Sequence, residues 1–326
     1  MERAEARHTR PLGHEPARRP IRRMMFRRAW VQALAAFFLC SFGVSSAGAG
    51  PPVAVISRDI RPYMLAVEGL EAGVGHSVRR VYVEDGGPRL LGELEDLAAG
   101  SSVFVAVGPQ ALEALAALPT VPPTVAVMIW DIPTSVATRM PHLRAITLQI
   151  PLADQLKVLT ALFPNLQAVA VPVRPEQETT WLREGLSLMG DAMATRVRRI
   201  ALKDRSNWSE IWTAGLPHPS AVLFRPDPAL ASPTVIRHVI TQCLLRKILP
   251  VGYNAFFHEA GAGVSFVVDY EGIGRRAAVL LQRSRPDEGG VEPPPFRVWF
   301  KERSVRFVGL VPPDQDPPFV VVERRP

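Results

Sequence analysis

The stretch "GVSFVVDYEGIGRRAAVLL", residues 263–281, carries the first side chain that could do chemistry: Asp269, set where an apolar run gives way to an amphipathic one. A carboxylate at a strand tip is well placed for a general base or a ligand contact in an open α/β sheet. Asp is also among the best helix caps, because its side chain accepts the orphan amide protons of the first turn. Glu271 adds a favourable charge–dipole interaction there, and Arg275 and Arg276 follow on the same helix. The cap is the simpler reading, with a place near a ligand or hinge as the alternative.

Other chemical patterns fail on spacing. "GAGVSF" (261–266) lacks the third glycine of a dinucleotide fingerprint and precedes a strand-like run instead of following one. "GVSFV" lacks the final glycine of a nucleophile elbow. His76, His142, His218, His238 and His258 are scattered, with no pair at metal-ligand spacing, and no Gly-Lys-Ser/Thr phosphate loop occurs. The expectation is a protein that is not an enzyme and needs no cofactor or metal.

The elements around these residues repeat one phrase: a short Val/Ile/Ala run, a turn residue, then an amphipathic stretch. "PVAVIS" leads into "RPYMLAVEGLEAG", "SVFVAVG" into "PQALEALAAL", and "TVAVMIWD" follows. Later come "LQAVAVPV", "SAVLFRP" and "ILPVG". Apolar runs of four to seven residues suit strands buried on both faces, and their alternation with helices predicts parallel sheets. A division near residue 150 is expected, with residues 50–150 forming a first α/β lobe and 151–259 a second. A segment at about 260–285 returns to the first lobe. Residues 286–326 read as a linker, an antiparallel hairpin in "FRVWFKERSVRFVGL" and, in "DPPFVVVERRP", a loose edge strand or a tail.

In such sheets the crevice for a ligand lies at the carboxyl ends of the strands. The residues there are Ser57 and Tyr63, then Gly108 and Gln110 around a Gly-Pro helix start, then Trp130 and Asp131. In the second set they are Arg174, Arg225 with Asp227, and Tyr253 beside Asn254. Each also has a structural reading: Asp227 as a turn cap, Arg174 as a solvated cation, Trp130 as core.

Charge argues against nucleic acid. The formal charge of +7 is concentrated in residues 1–28, where nine Arg and three Glu leave +6. Removing these from totals of 38 and 31 leaves 29 basic and 28 acidic side chains, too balanced for a phosphate-binding face. Residues 1–49 read instead as a leader with an export signal. "MFRRAW" is its positive region, "VQALAAFFLCSFGV" its apolar region, and "AGA" at 47–49 its cleavage site. Residues 1–23 are patternless, so Met24 or Met25 is an alternative start. "RRMMF" lacks the rest of a twin-arginine signal, and Cys40 lacks the preceding small residue that lipidation needs. Cleavage after Ala49 would leave Cys243 as the single cysteine, at a helical core position.

Several phrases resemble a known family, the substrate-binding proteins of ABC transporters with a type I periplasmic-binding fold, related to tryptophan and tyrosine receptors. They are "RPYMLAVEGLEAG", "VAVGPQALEAL", "FPNLQAVAV", "VDYEGIGRRAA" and "VGLVPP", and they span most of the chain after residue 52. The resemblance implies two Rossmann-like lobes joined by a hinge and closing on a small molecule, with Ser57, Gly108 and Gln110 on the first-lobe side of the cleft. It also implies a periplasmic location and a membrane permease as partner, with a sensory or interaction module of the same fold as the alternative. Relatives often carry a Ser-Asp-Pro where this chain has Trp130-Asp131-Ile132-Pro133, and an Asn- and Glu-rich loop where it has "PVRPEQETT".

Overall fold

Apolar runs with no polar face need cover on both sides, and they become the inner strands of two sheets in the computed structural model of the chain. The structure describes residues 51–100, 103–174, 180–187, 196–202, 208, 211–212, 215–227, 230–282 and 289–325. The expected leader, with Cys40 and the cleavage site after Ala49, lies outside the described residues. So do residues 175–179 and 283–288, which hold most of the loop after Arg174 and the start of the linker. Residues Ala49–Pro326 form one unit.

The first sheet is parallel throughout. It contains β1 (Val53–Ile56), β2 (Arg79–Tyr82), β3 (Phe104–Val107), β4 (Thr124–Ile129), β5 (Arg144–Thr147) and, far later in the chain, Gly290–Glu292. The second contains β6 (Ala168–Val173), β7 (Val197–Ala201), β8 (Ser220–Leu223), β9 (Leu249–Gly252) and β10 (Val264–Val268). With Gly290–Glu292 as β11, it is completed by β12 (Phe296–Phe300) and β13 (Val322–Arg324). The strand orders are β11-β5-β4-β3-β1-β2 and β13-β12-β10-β9-β8-β6-β7. In the second, β10 and β12 pair antiparallel while the other pairs are parallel. Each sheet is wound in opposite directions from an inner pair, β1/β3 in one and β6/β8 in the other. These are the switch points at which crevices open.

The helices are α1 (Arg61–Val74), α2 (Val83–Gly86), α3 (Leu90–Ala99), α4 (Pro109–Ala117), α5 (Thr134–Arg139) and α6 (Leu152–Leu162). They continue as α7 (Thr180–Ser187), α8 (Pro233–Leu245), α9 (Ala255–Glu259), α10 (Tyr270–Gln282) and α11 (Glu302–Phe307). They cover both faces of each sheet. Leu94, Phe104, Leu112 and Leu115 fill one side of the first, and Ala66, Leu70, Ile273 and Ala277 the other. Leu156, Leu159, Phe266 and Phe300 fill one side of the second; Val239, Ile240, Cys243 and Phe257 fill the other. Among the described residues no helix is long and apolar enough to cross a membrane.

The chain passes between the sheets three times: at 148–151, at Asp269 and at 293–295. The second passage is one residue long, because β10 lies in the second sheet while α10 packs on α1 beside the first. Small residues make that packing possible. A Cβ on Gly274 would sit 1.9 Å from the Ala66 carbonyl oxygen, and one on Gly69 would sit 2.1 Å from that of Glu271. The two helix backbones touch.

Two expectations are corrected. Of the segment at 260–285 expected to return to the first lobe, α10 does so, but β10 pairs with β9 and β12 of the second sheet. The hairpin expected in "FRVWFKERSVRFVGL" is a strand followed by a helix. Its second half buries Ser304, Val305 and Val308 at helical spacing against the core, and this outweighs the alternation read from the sequence. Within the residues read as a linker and as an edge strand or tail, β11 joins the edge of the first sheet beside β5 and β13 pairs with β12 at the edge of the second.

Candidate functional site

A cavity of about 180 Å³ opens between the two sheets. The first lobe contributes Trp130, one residue beyond β4. The second contributes Phe224, Arg225 and Pro226 after β8, Tyr253 and Asn254 after β9, and Phe266 and Val268 of β10. The back is formed by the passages themselves, with Leu148, Gln149 and Ile150 in one and Tyr270 beyond the other. Buried Gln155 of α6 braces that wall, its side-chain amide donating to the Ile150 carbonyl at 3.0 Å. The lining is thus largely apolar, with five aromatic side chains, amide groups and one guanidinium, a composition typical of small-molecule sites.

Trp130 owes its place to an irregularity. Met128 has φ of 59°, and the β4–β5 register shifts between Val127 and Ile129. A bulge of this kind resets the alternation of side chains. Val125 and Val127 face the α1/α10 side, whereas Ile129 joins Ala126 on the opposite side. The reset applies equally to Trp130, the next residue. A left-handed methionine is uncommon, and such strain gathers at functional positions.

Arg225 stands between two fixed points. On one side the Phe224 amide donates to the Val251 carbonyl at 2.9 Å, the last rung beside β9. On the other, Pro226 fixes its own φ and favours an extended Arg225. Burial holds the Arg225 pKa below the usual arginine value, and the nearby Asp131 carboxylate opposes that effect. Asp131 itself is exposed at the rim, next to Trp130.

Arg174 and Asp227 hold each other. Arg174 Nε and Nη2 donate to the two Asp227 oxygens at 2.7 and 3.0 Å, with the side chains 5% and 10% exposed. Neither lines the cavity. Tyr253 packs its ring at a tilt against Phe257, centroids 4.8 Å apart. Its pKa is pushed up to about 12, mainly by burial and further by the Asp227 charge.

Ser57, Tyr63, Gly108 and Gln110 form a separate group at the first switch point. The Ser57 hydroxyl, fully buried, accepts the Ala111 amide at 2.9 Å and so caps α4. Gly108 has φ of 93°, and a Cβ there would lie 2.6 Å from Ser57 Oγ and 2.7 Å from the Tyr63 ring. No other residue fits. Tyr63 has its pKa raised by burial, with Arg58 opposing. Gln110 is half-exposed in the first turn of α4. None of the four lines the cavity.

Of the ten residues expected at the site, the cavity therefore gathers Trp130, Arg225 and Tyr253, with Asp131 beside them. The sequence reading missed Phe224, Gln149, Gln155 and Phe266. Phe224 and Phe266 look like ordinary core strand residues, Gln149 stands in a passage whose direction no local pattern reveals, and Gln155 reads as a polar position of the helix that follows. Asp269 is a cap: the Gly272 amide donates to its Oδ1 at 3.0 Å. It also stands where the chain passes from the second sheet to the first, its Oδ2 accepting from Arg297 of β12 at 3.3 Å. Among the described residues no group of His, Cys, Asp or Glu could hold a metal ion.

No family model matches this sequence, and no curated protein matches it either. Solved structures do. A ligand-free, open substrate-binding protein with adhesive properties from Clostridium difficile superposes with a TM-score of 0.62 at 11% identity, covering 84% of this chain and 99% of its own. A conserved domain protein from Vibrio cholerae gives 0.51 at 16% identity over 82% and 96%. The ABC domain from Streptococcus pneumoniae, in complex with L-Trp, gives 0.50 at 15% identity over 82% and 97%. At these identities the likeness is one of fold. The fold is that of the type I periplasmic-binding proteins, two Rossmann-like lobes with mostly parallel sheets.

Proposed function

We propose that this chain is an exported, non-enzymatic receptor that holds a small solute between its lobes and delivers it to the membrane permease of an ABC importer. The observation that carries the reading is the shared cavity. Trp130 at a strand tip of one lobe and Arg225 and Tyr253 at strand tips of the other line the same space. Neighbours of the same fold are described as a substrate-binding protein and as a complex with L-Trp, which supports a solute-binding role. The basic, then apolar, then small-residue order of residues 24–49 supports export.

In this reading the solute favours the closed arrangement because it touches both lobes at once, and its differential affinity sets the shift in population. Aromatic walls would cover its body, and the half-buried guanidinium would meet a polar or anionic group in a water-poor setting.

Thermal-shift screening of residues 50–326 against amino acids, nucleosides and small organic acids tests the proposal. A stabilising compound is expected, with weaker stabilisation after Trp130→Ala or Arg225→Ala. Parental binding by both variants would refute the site, and silence across all three compound classes would refute the receptor.

A further inference from the structure

We propose that the Arg174–Asp227 pair is a positioning element of the second lobe, tying the tip of β6 to the turn after β8 so that Arg225 and Tyr253 face the cleft. This rests on the reading of the cleft as a solute site, and it assigns two strand-tip residues a task other than touching the solute.

The geometry is specific. A bidentate Arg–carboxylate pair fixes distance and plane together, and little water reaches this one to loosen it. Asp227 stands two residues after Arg225 and is itself held downstream, its carbonyl accepting the Leu230 amide at 2.8 Å. Three residues before Asp227, Phe224 is pinned to the β9 edge through the Val251 carbonyl and lies fully buried. Pro226 removes backbone freedom between these anchors. Arg225 therefore inherits its direction from both ends of a four-residue arch, and the pair secures one end.

The same carboxylate acts on the second cleft residue through its charge. Tyr253 packs at a tilt against Phe257, whose ring lies 5.3 Å from that of Phe224. Asp227 lies close enough to bear on the Tyr253 hydroxyl. Arch, rings and pair form one connected block behind the cleft. Arg174 reaches it from β6, across the switch point between β6 and β8.

The test reads Arg225 directly and needs no solute. Phenylglyoxal labelling of the folded chain, followed by peptide mass spectrometry, gives a modification rate for each arginine. Arg174→Lys keeps the charge but loses the fork, and Asp227→Asn removes the acceptor charge. Both should raise the Arg225 rate several-fold, the second more strongly, while Asp227→Glu restores part of the protection. Arg80, an ion-paired arginine of the first lobe, should keep its parental rate. A general loss of stability would raise both rates together and overturn the proposal, as would an unchanged Arg225 rate in the two variants. If the labelling behaves as expected but the compound screen is silent, the positioning role stands and the receptor reading falls.

Discussion

Asp131, one residue past Trp130 in the first lobe, is the acid whose field supports the charge of Arg225 in the second. The two groups belong to lobes joined by three short passages, and in the proposed receptor their attraction would act on the angle between them. Asp131 is exposed, which limits the attraction to about 0.2–1 kcal/mol, and salt screens it further. Asp131→Asn should therefore open the lobes slightly at low ionic strength. Small-angle X-ray scattering checks this: the parent should expand as salt is raised, and the variant should start expanded and respond less.

The seam between α1 and α10 gives a stability prediction. A methyl group on Gly274 would enter the space of the Ala66 carbonyl and of the Leu70 amide, both backbone groups that no rotamer change can move. Gly274→Ala should cost about 1–3 kcal/mol or more, despite the better helix propensity of alanine. Chemical denaturation of the parent and the variant measures it.

Tyr253 makes stability depend on alkaline pH. Its pKa is about 12 in the folded chain and 10.0 as the ordinary reference, so folding favours the protonated phenol. That contribution is fully present below pH 10 and is lost as pH rises towards 12. Alkaline denaturation should begin at higher pH in Tyr253→Phe than in the parent. The tyrosinate absorbance of the parent should contain one late-titrating component that the variant lacks.

Much of this architecture is legible in the residues because burial writes it there. "VAVI", "FVAV" and "TVAVMI" can only be inner strands, and Gly108-Pro109 can only be a tight turn into a helix. Asp269 as a cap is equally local, one side chain and an amide three residues on. The site is less legible because its decisive features are not local. Arg174 and Asp227 are 53 residues apart and look like a solvated cation and a turn cap until the fold joins them. Met128 shows no turn chemistry in "VAVMIW", yet its left-handed backbone resets the side-chain alternation just before Trp130. The helix Glu302–Phe307 was hidden by an alternation that serves the strand before it and stops at Lys301.

The one-residue passage at Asp269 has a consequence for how the chain is made. The first sheet receives its covering helix α10 and its edge strand β11 only after β6 to β10 of the second have been synthesised. During elongation the face of α1 that holds Ala66, Gly69 and Gly73 stays bare until Gly274 and Ala278 arrive. A nascent chain stopped at residue 150 has five of the six strands of that layer but not the helix that seals it. The half that begins first is finished late, so neither half can be excised at a single cut.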